Sequence, residues 1–264
     1  MAMATYPSPV NKLLTYGDCR KFQEIPNYIE ELGFSSEHIP DLIRMATDQQ
    51  LNSSDLDGLE IWAPIHAWRV LGQLRAEAAI EPLISLFHEL DDDWSSSELP
   101  DIFGKIGPAA IPALQAYLAD SSHDSYDRAT AATSLTKIAE NHPDTRNQCI
   151  AILTQQLELF ADNDIELNAF LIGELIDLKA VESASVMERA FAAERVVPFI
   201  VGDWNAVQVS LGLKDATEVP ERKFSLEEMI EYFAPKPQSQ KPRGFSTSSD
   251  QKQKKKNKKN KKRK

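Results

Sequence analysis
Cysteine, long apolar runs and glycine-rich loops are scarce or missing in this chain, and each scarcity excludes something. Only Cys19 and Cys149 occur among 264 residues. So far apart in sequence, they make neither a disulfide framework nor a Cys-x-x-Cys metal or redox motif. Both are expected to be reduced, with Cys149, in the apolar row CIAIL, in the core. The longest apolar stretches, AFLIGEL at 169–175 and VVPFIVG at 196–202, fall short of the roughly 18–20 residues that a bilayer span needs. The N-terminus MAMATYPSPVNKLL has no basic n-region, no continuous apolar h-region and no small-residue cleavage site, so no secretory signal is expected. A soluble, cytoplasmic protein is the reading. Phosphate-cradling glycine loops, Gly-x-Ser-x-Gly elbows and plausible Cys-His nucleophile pairs are missing too. No catalytic constellation stands in the sequence, and no cofactor is expected.

What is present is charge, divided unevenly. The net charge of −11 is the sum of −23 over residues 1–234 and +12 over residues 235–264. Such a body repels polyanions over most of its surface, while the tail attracts them. The segment PKPQSQKPRGFSTSSDQKQ has too little hydrophobicity to fold and reads as a linker. It leads into KQKKKNKKNKKRK at 252–264, where ten of 13 residues are basic and none is aromatic. Lys254, Lys255, Lys256, Lys258, Lys259, Lys261, Lys262, Arg263 and Lys264 are the candidates for nonspecific, salt-dependent contact with RNA, the ribosome or another polyanion. Two other readings stay open: a solvated run, and an intramolecular contact with the acidic body, within the ~20–25 Å reach of the linker.

The body repeats itself. AWRVLGQLRAEAAIEPL from Ala67, LPDIFGKIGPAAIPAL from Leu99 and DRATAATSLTKIAENHP from Asp127 each read as a helix that ends and turns into another. The marker positions Gly72, Gly104, Thr136 and Gly173 are spaced as two-helix units require. Apolar residues recur at i, i+3 and i+4, as in Ile65, Trp68 and Leu71, or Ile111, Leu114 and Leu118. Four helical hairpins are predicted, and the fold class is all-α, an α-solenoid. Residues 1–60 read as a helical cap, 61–197 as the repeats, 198–234 as a second helical cap and 235–264 as a disordered tail. Pro82, Pro100 and Pro112 are expected near helix starts, with a bend at Pro112 at most.

GKIGPAAIPAL followed by QAYLADSSHDSYDRATAATSL closely resembles the HEAT-like repeat of the phycobilisome-lyase type, over about 62–195. In that repeat a Leu-Gly-x-Ile turn leads to an Ala-Ile-Pro-x-Leu helix, then an Asp and a downstream Arg. Pro112, Asp120 and Arg128 match its Pro, Asp and Arg, and the resemblance implies that the Asp and Arg tie adjacent hairpins together. The fourth copy keeps Gly173 but lacks the Ile-Pro. Uncharacterised bacterial HEAT-repeat proteins with a lysine-rich end are similar as well. The repeat class includes bilin lyases and scaffolds. The class alone does not choose between them; the repeats, the missing catalytic constellation and the charge split together point to a non-catalytic scaffold for a protein or ribonucleoprotein partner. The alternative is a bilin-lyase-like or chaperone activity on a phycobiliprotein.

Local candidates divide between function and plain structure. The five histidines, His38, His66, His88, His123 and His142, are scattered without a His-x-x-x-His pair, so no zinc site is expected and they read as surface residues. Metal-dependent hydroxylases built on HEAT-like repeats carry several His-Glu pairs, and here only His88-Glu89 occurs. Asp91, Asp92 and Asp93 read first as acids opposing a helix N-terminal dipole and second as a partner contact. Trp62 and Trp94, close to predicted loops, are the aromatic candidates for partial exposure and partner contact.

Overall fold
The computed structural model describes residues 5–52, 58–89, 93–219 and 225. The chain divides into two units, Met1–Arg222 and Lys223–Lys264, and every element below belongs to the first. The lysine-rich tail and the helix expected at Leu226–Phe233 lie outside the described residues.

The described residues are all-helical, with no strand among them. Four hairpins follow one another: α3 (Ala63–Gln73) with α4 (Ile80–Glu89), α5 (Asp93–Ile106) with α6 (Ile111–Ala119), α7 (Ser125–Asn141) with α8 (Arg146–Leu157), and α9 (Ile165–Asp177) with α10 (Ala184–Ala192). Before them stand α1 (Tyr28–Leu32) and α2 (Ile39–Ala46); after them come α11 (Pro198–Val201) and α12 (Trp204–Ser210). Each hairpin turns through the same device, one 3-10 turn ahead of the second helix. It is closed by Ala79 N–H to Ala76 O, Ala110 to Gly107, Thr145 to His142, and Ser183 to Ala180, at 2.9–3.0 Å. The residue closing each turn is small and buried. That shared geometry is the structural counterpart of the sequence repeat.

The helices pack in two rows. First helices touch in the order α3, α5, α7, α9, α11, and second helices in the order α4, α6, α8, α10, α12. Glycine sets the approach in the first row. A Cβ at Gly72 would meet Ile102 of α5 at 3.3 Å, one at Gly104 would meet Asn141 Nδ2 of α7 at 2.8 Å and the Lys137 carbonyl at 3.1 Å, and one at Gly173 would meet Val201 at 3.6 Å. The glycines lie inside the last turns of their helices; Gly72 and Gly104 are positions of close packing as much as punctuation, while Gly173 has ordinary contact room. Leu83, Leu99, Phe103, Leu114, Leu135, Leu153 and Leu171 fill the space between the rows.

The N-terminal region is helical as expected but built mostly of short turns, Val10–Thr15, Cys19–Lys21 and Ser36–His38, around α1 and α2. Gly17 and Gly33 break it with φ of 129° and 75°, and Gly33 serves as the left-handed C-cap of α1. One proline expectation needs correction and one holds. Pro112 is the second residue of α6, near the helix start as expected, where its missing N–H costs little. Pro100 sits inside α5, because that helix begins at Asp93, earlier than the apolar row suggested.

Candidate functional site
Two places gather chemistry. The first is where α3 meets the N-terminal region. His66 is fully buried, against the expectation of a surface histidine. Its Nδ1 stands 2.6 Å from the Tyr28 hydroxyl and its Nε2 2.9 Å from the Gly17 carbonyl, while the Tyr16 and Phe22 rings pack edge-on against it. A carbonyl only accepts, so Nε2 carries the proton and Nδ1 receives the Tyr28 O–H. Burial lowers the His66 pKa and holds the ring neutral. Next to it Arg69 and Glu98 form a largely buried fork, with Nε donating to Oε2 at 3.0 Å, and burial pushes the Cys19 thiol up to about 11. A thiol held protonated, away from solvent, is a poor nucleophile. This cluster clamps the N-terminal region onto α3.

The second place is the end of the hairpins where the α6–α7 and α8–α9 connections lie. Asp124 is the N-cap of α7 and accepts the Tyr126 N–H at 2.9 Å. Asp164, at the start of α9, accepts the Ser125 hydroxyl at 2.5 Å and so joins two connections. Arg128 is buried, and its Nε donates to the Leu118 carbonyl at 2.8 Å, satisfying a C-terminal carbonyl of α6. Asp120 accepts the Ser122 N–H at 2.9 Å and stands 3.8 Å from His123 Nε2. Arg128 thus ties neighbouring helices through a carbonyl, with no direct bond to Asp120 among the described residues. In the fourth hairpin Asn168, at the equivalent fourth position of α9, donates to the Phe160 and Arg195 carbonyls at 3.0 and 2.8 Å. Asparagine does there what arginine does in α7.

The Tyr117 ring stacks on His123 at 3.9 Å, with His88 6.1 Å beyond. Burial and then Asp124 raise the pKa of Asp127 in the first turn of α7. Tyr126 is 63% exposed and meets Phe170 of α9 edge-on at 5.4 Å. Its place on the outward stripe of α7 is set by the packing of the rows.

The other candidates fall differently. Trp62 is buried, 9% exposed, with the Arg20 guanidinium 4.5 Å over its ring; this corrects its assignment as an exposed contact, because the N-terminal region folds over it. Asp91 and Asp92, and the side chains of Asp93 and Trp94, lie outside the described residues, although Asp93 does open α5. Cys149 is in the core as expected. A shallow groove of about 550 Å³ runs along α8, with Ile150 and Ala151 in its lining and Glu158 and Glu182 beside them. Among the described residues no three His, Cys, Asp or Glu side chains are grouped to hold a metal, and no helix is long and apolar enough to cross a membrane. Comparison of the chain with protein families, curated proteins and solved structures finds no match.

Proposed function
We propose that this chain is an α-solenoid of HEAT-like repeats, a non-catalytic scaffold whose helical surface holds a protein or ribonucleoprotein partner and whose lysine-rich tail adds nonspecific contact with RNA or another polyanion. One observation supports this most: four hairpins with one shared turn geometry stack in two ordered rows. Stacked hairpins present a continuous helical surface, which suits recognition of a macromolecule. The buried His66 and Arg69 have their polar atoms engaged within the chain, while Tyr126 stands exposed at a hairpin end.

The test is capture of partners by the full chain and by a chain whose lysines at 254–262 are replaced with glutamine, read by mass spectrometry and RNA sequencing. The scaffold reading requires one discrete protein, or one ribonucleoprotein, retained by both. RNA retained by the unaltered chain alone, with no discrete protein in either sample, would refute it. The bilin-lyase reading predicts an absorbance change when the chain meets bilin and an apo-phycobiliprotein, and no observation on the hairpin ends favours it.

A further inference from the structure
We propose that the groove along α8 is the contact surface for a second copy of this chain, so that the protein pairs through its second row of helices as a twofold dimer. The charge layout around the groove carries the argument. Where α8 begins, Arg146 pairs with Glu182, in the turn ahead of α10, at 3.4 Å; where α8 ends, Glu158 pairs with Arg189 of α10 at 2.6 Å. The sign therefore runs from positive to negative along one bank and from negative to positive along the other. All four side chains are 36–53% exposed, so each ion pair keeps an open side. Between the two pairs no charge intervenes on α8: residues 147–157, NQCIAILTQQL, are uncharged, and so is all of α6, the neighbouring helix of the row. Thr154 and Ser183, joined at 2.7 Å, line the groove with Ile150 and Ala151. Asn147 and Gln155, also in the lining, have no hydrogen-bond partner among the described residues. Asp144 and Glu188, the nearest exposed acids along the chain, line no part of it.

Such a layout is its own complement. Turned about a twofold axis lying across the groove, α8 meets its copy antiparallel. Each Arg146 then falls opposite Glu158 of the second copy, and each Glu182 opposite its Arg189. Every cation stands between two carboxylates, one from each chain, so isolated surface pairs, individually weak, become two networks of four charges. The antiparallel order also sets the helix dipoles of the two α8 copies against one another favourably. The amides of Asn147 and Gln155 offer donors and acceptors to the facing helix. Other occupants fit less well. The four charges at the groove sum to zero, so a basic or an acidic segment would meet as many groups of its own sign as of the opposite one. A body of charge −23 repels its own copy over most of its surface, and this face, without net charge and bounded in self-complementary order, is where two copies approach without that repulsion. The proposal does not depend on the scaffold reading.

Sedimentation equilibrium of the full chain tests this. The mass should rise with concentration from 29.6 kDa towards twice that value, and the association should weaken as salt is raised. The deciding variant is the double exchange of Glu158→Arg with Arg189→Glu. It keeps the net charge and an ion pair at each end of the groove, so the fold of the single chain is spared. Across the twofold axis, however, Arg146 and Glu182 would each face a group of their own sign, and self-association should weaken about a hundredfold. Ala151→Arg, at an exposed position in the middle of the groove, should weaken it as well without moving the urea midpoint. A chain that stays at 29.6 kDa at every concentration refutes the proposal. So does a double exchange that pairs as tightly as the unaltered chain, which would set α8 against α10 of the copy or place the contact elsewhere. A monomeric chain that loses a captured partner on Ala151→Arg would give the groove to that partner and exclude the second copy.

Discussion

Replacing His66 with alanine should cost more than any surface change in the molecule. The imidazole is fully buried and satisfies a hydroxyl on one side and a carbonyl on the other. Two lost hydrogen bonds contribute about 1 kcal/mol each. The vacated ring volume, under Tyr16 and Phe22, adds about 2 kcal/mol as a cavity. A loss near 4 kcal/mol is a large fraction of the 5–15 kcal/mol typical of a folded domain. Urea unfolding followed by tryptophan fluorescence measures it directly. A loss below about 1 kcal/mol would show that the N-terminal region is not clamped through this ring. The pH dependence supplies an independent check. Because burial lowers the His66 pKa below its ordinary 6.5, the unfolded chain takes up a proton that the folded chain refuses as pH falls through 6.5. The contribution of His66 is therefore present above pH 6.5 and lost on acidification, by up to about 1.4 kcal/mol per pH unit. In His66→Gln that component of the acid slope should vanish; an unchanged slope below pH 6.5 refutes the assignment.

Glu174 should show the opposite sign. Burial between α7 and α9 raises its carboxyl pKa above the ordinary 4.5, although the Thr133 hydroxyl stands 2.6 Å away, so stability is lost as pH rises through the folded value. Glu174→Gln should remove that fall and unfold at higher urea than the unaltered chain at pH 8. The glycines of the first row separate by contact distance: Gly104→Ala meets backbone at 3.1 Å and should destabilise by about 2 kcal/mol. Gly173→Ala, with 3.6 Å of room, should instead stabilise by about 0.5 kcal/mol through helix propensity, and thermal melts of the pair decide it. Arg75 occupies a left-handed position after α3, with φ of 51°, where the 3-10 turn of the first hairpin begins. Arg75→Gly should raise stability by about 0.5–1 kcal/mol in the same assay.

The hairpins, their order and most of their helix limits were legible in the sequence, since apolar spacing of three and four residues and the proline or small residues at turns act over a few neighbours. The charge division between body and tail was equally local information. Pro100 shows where such reading stops: a proline reads as a helix start, and only packing of α5 against α3 and α7 carries the helix through it. The burial of His66 and Trp62 was decided by the tertiary structure alone. Tyr28 and Gly17 reach His66 across 38 and 49 residues, and Arg20 covers Trp62, so nothing within a helical turn of either residue announces its surroundings. The outward placement of Tyr126 has the same origin. A helix shows its apolar stripe in sequence, but which edge of that stripe a neighbouring row covers depends on where the next hairpin lands, and that is set by contacts distant along the chain.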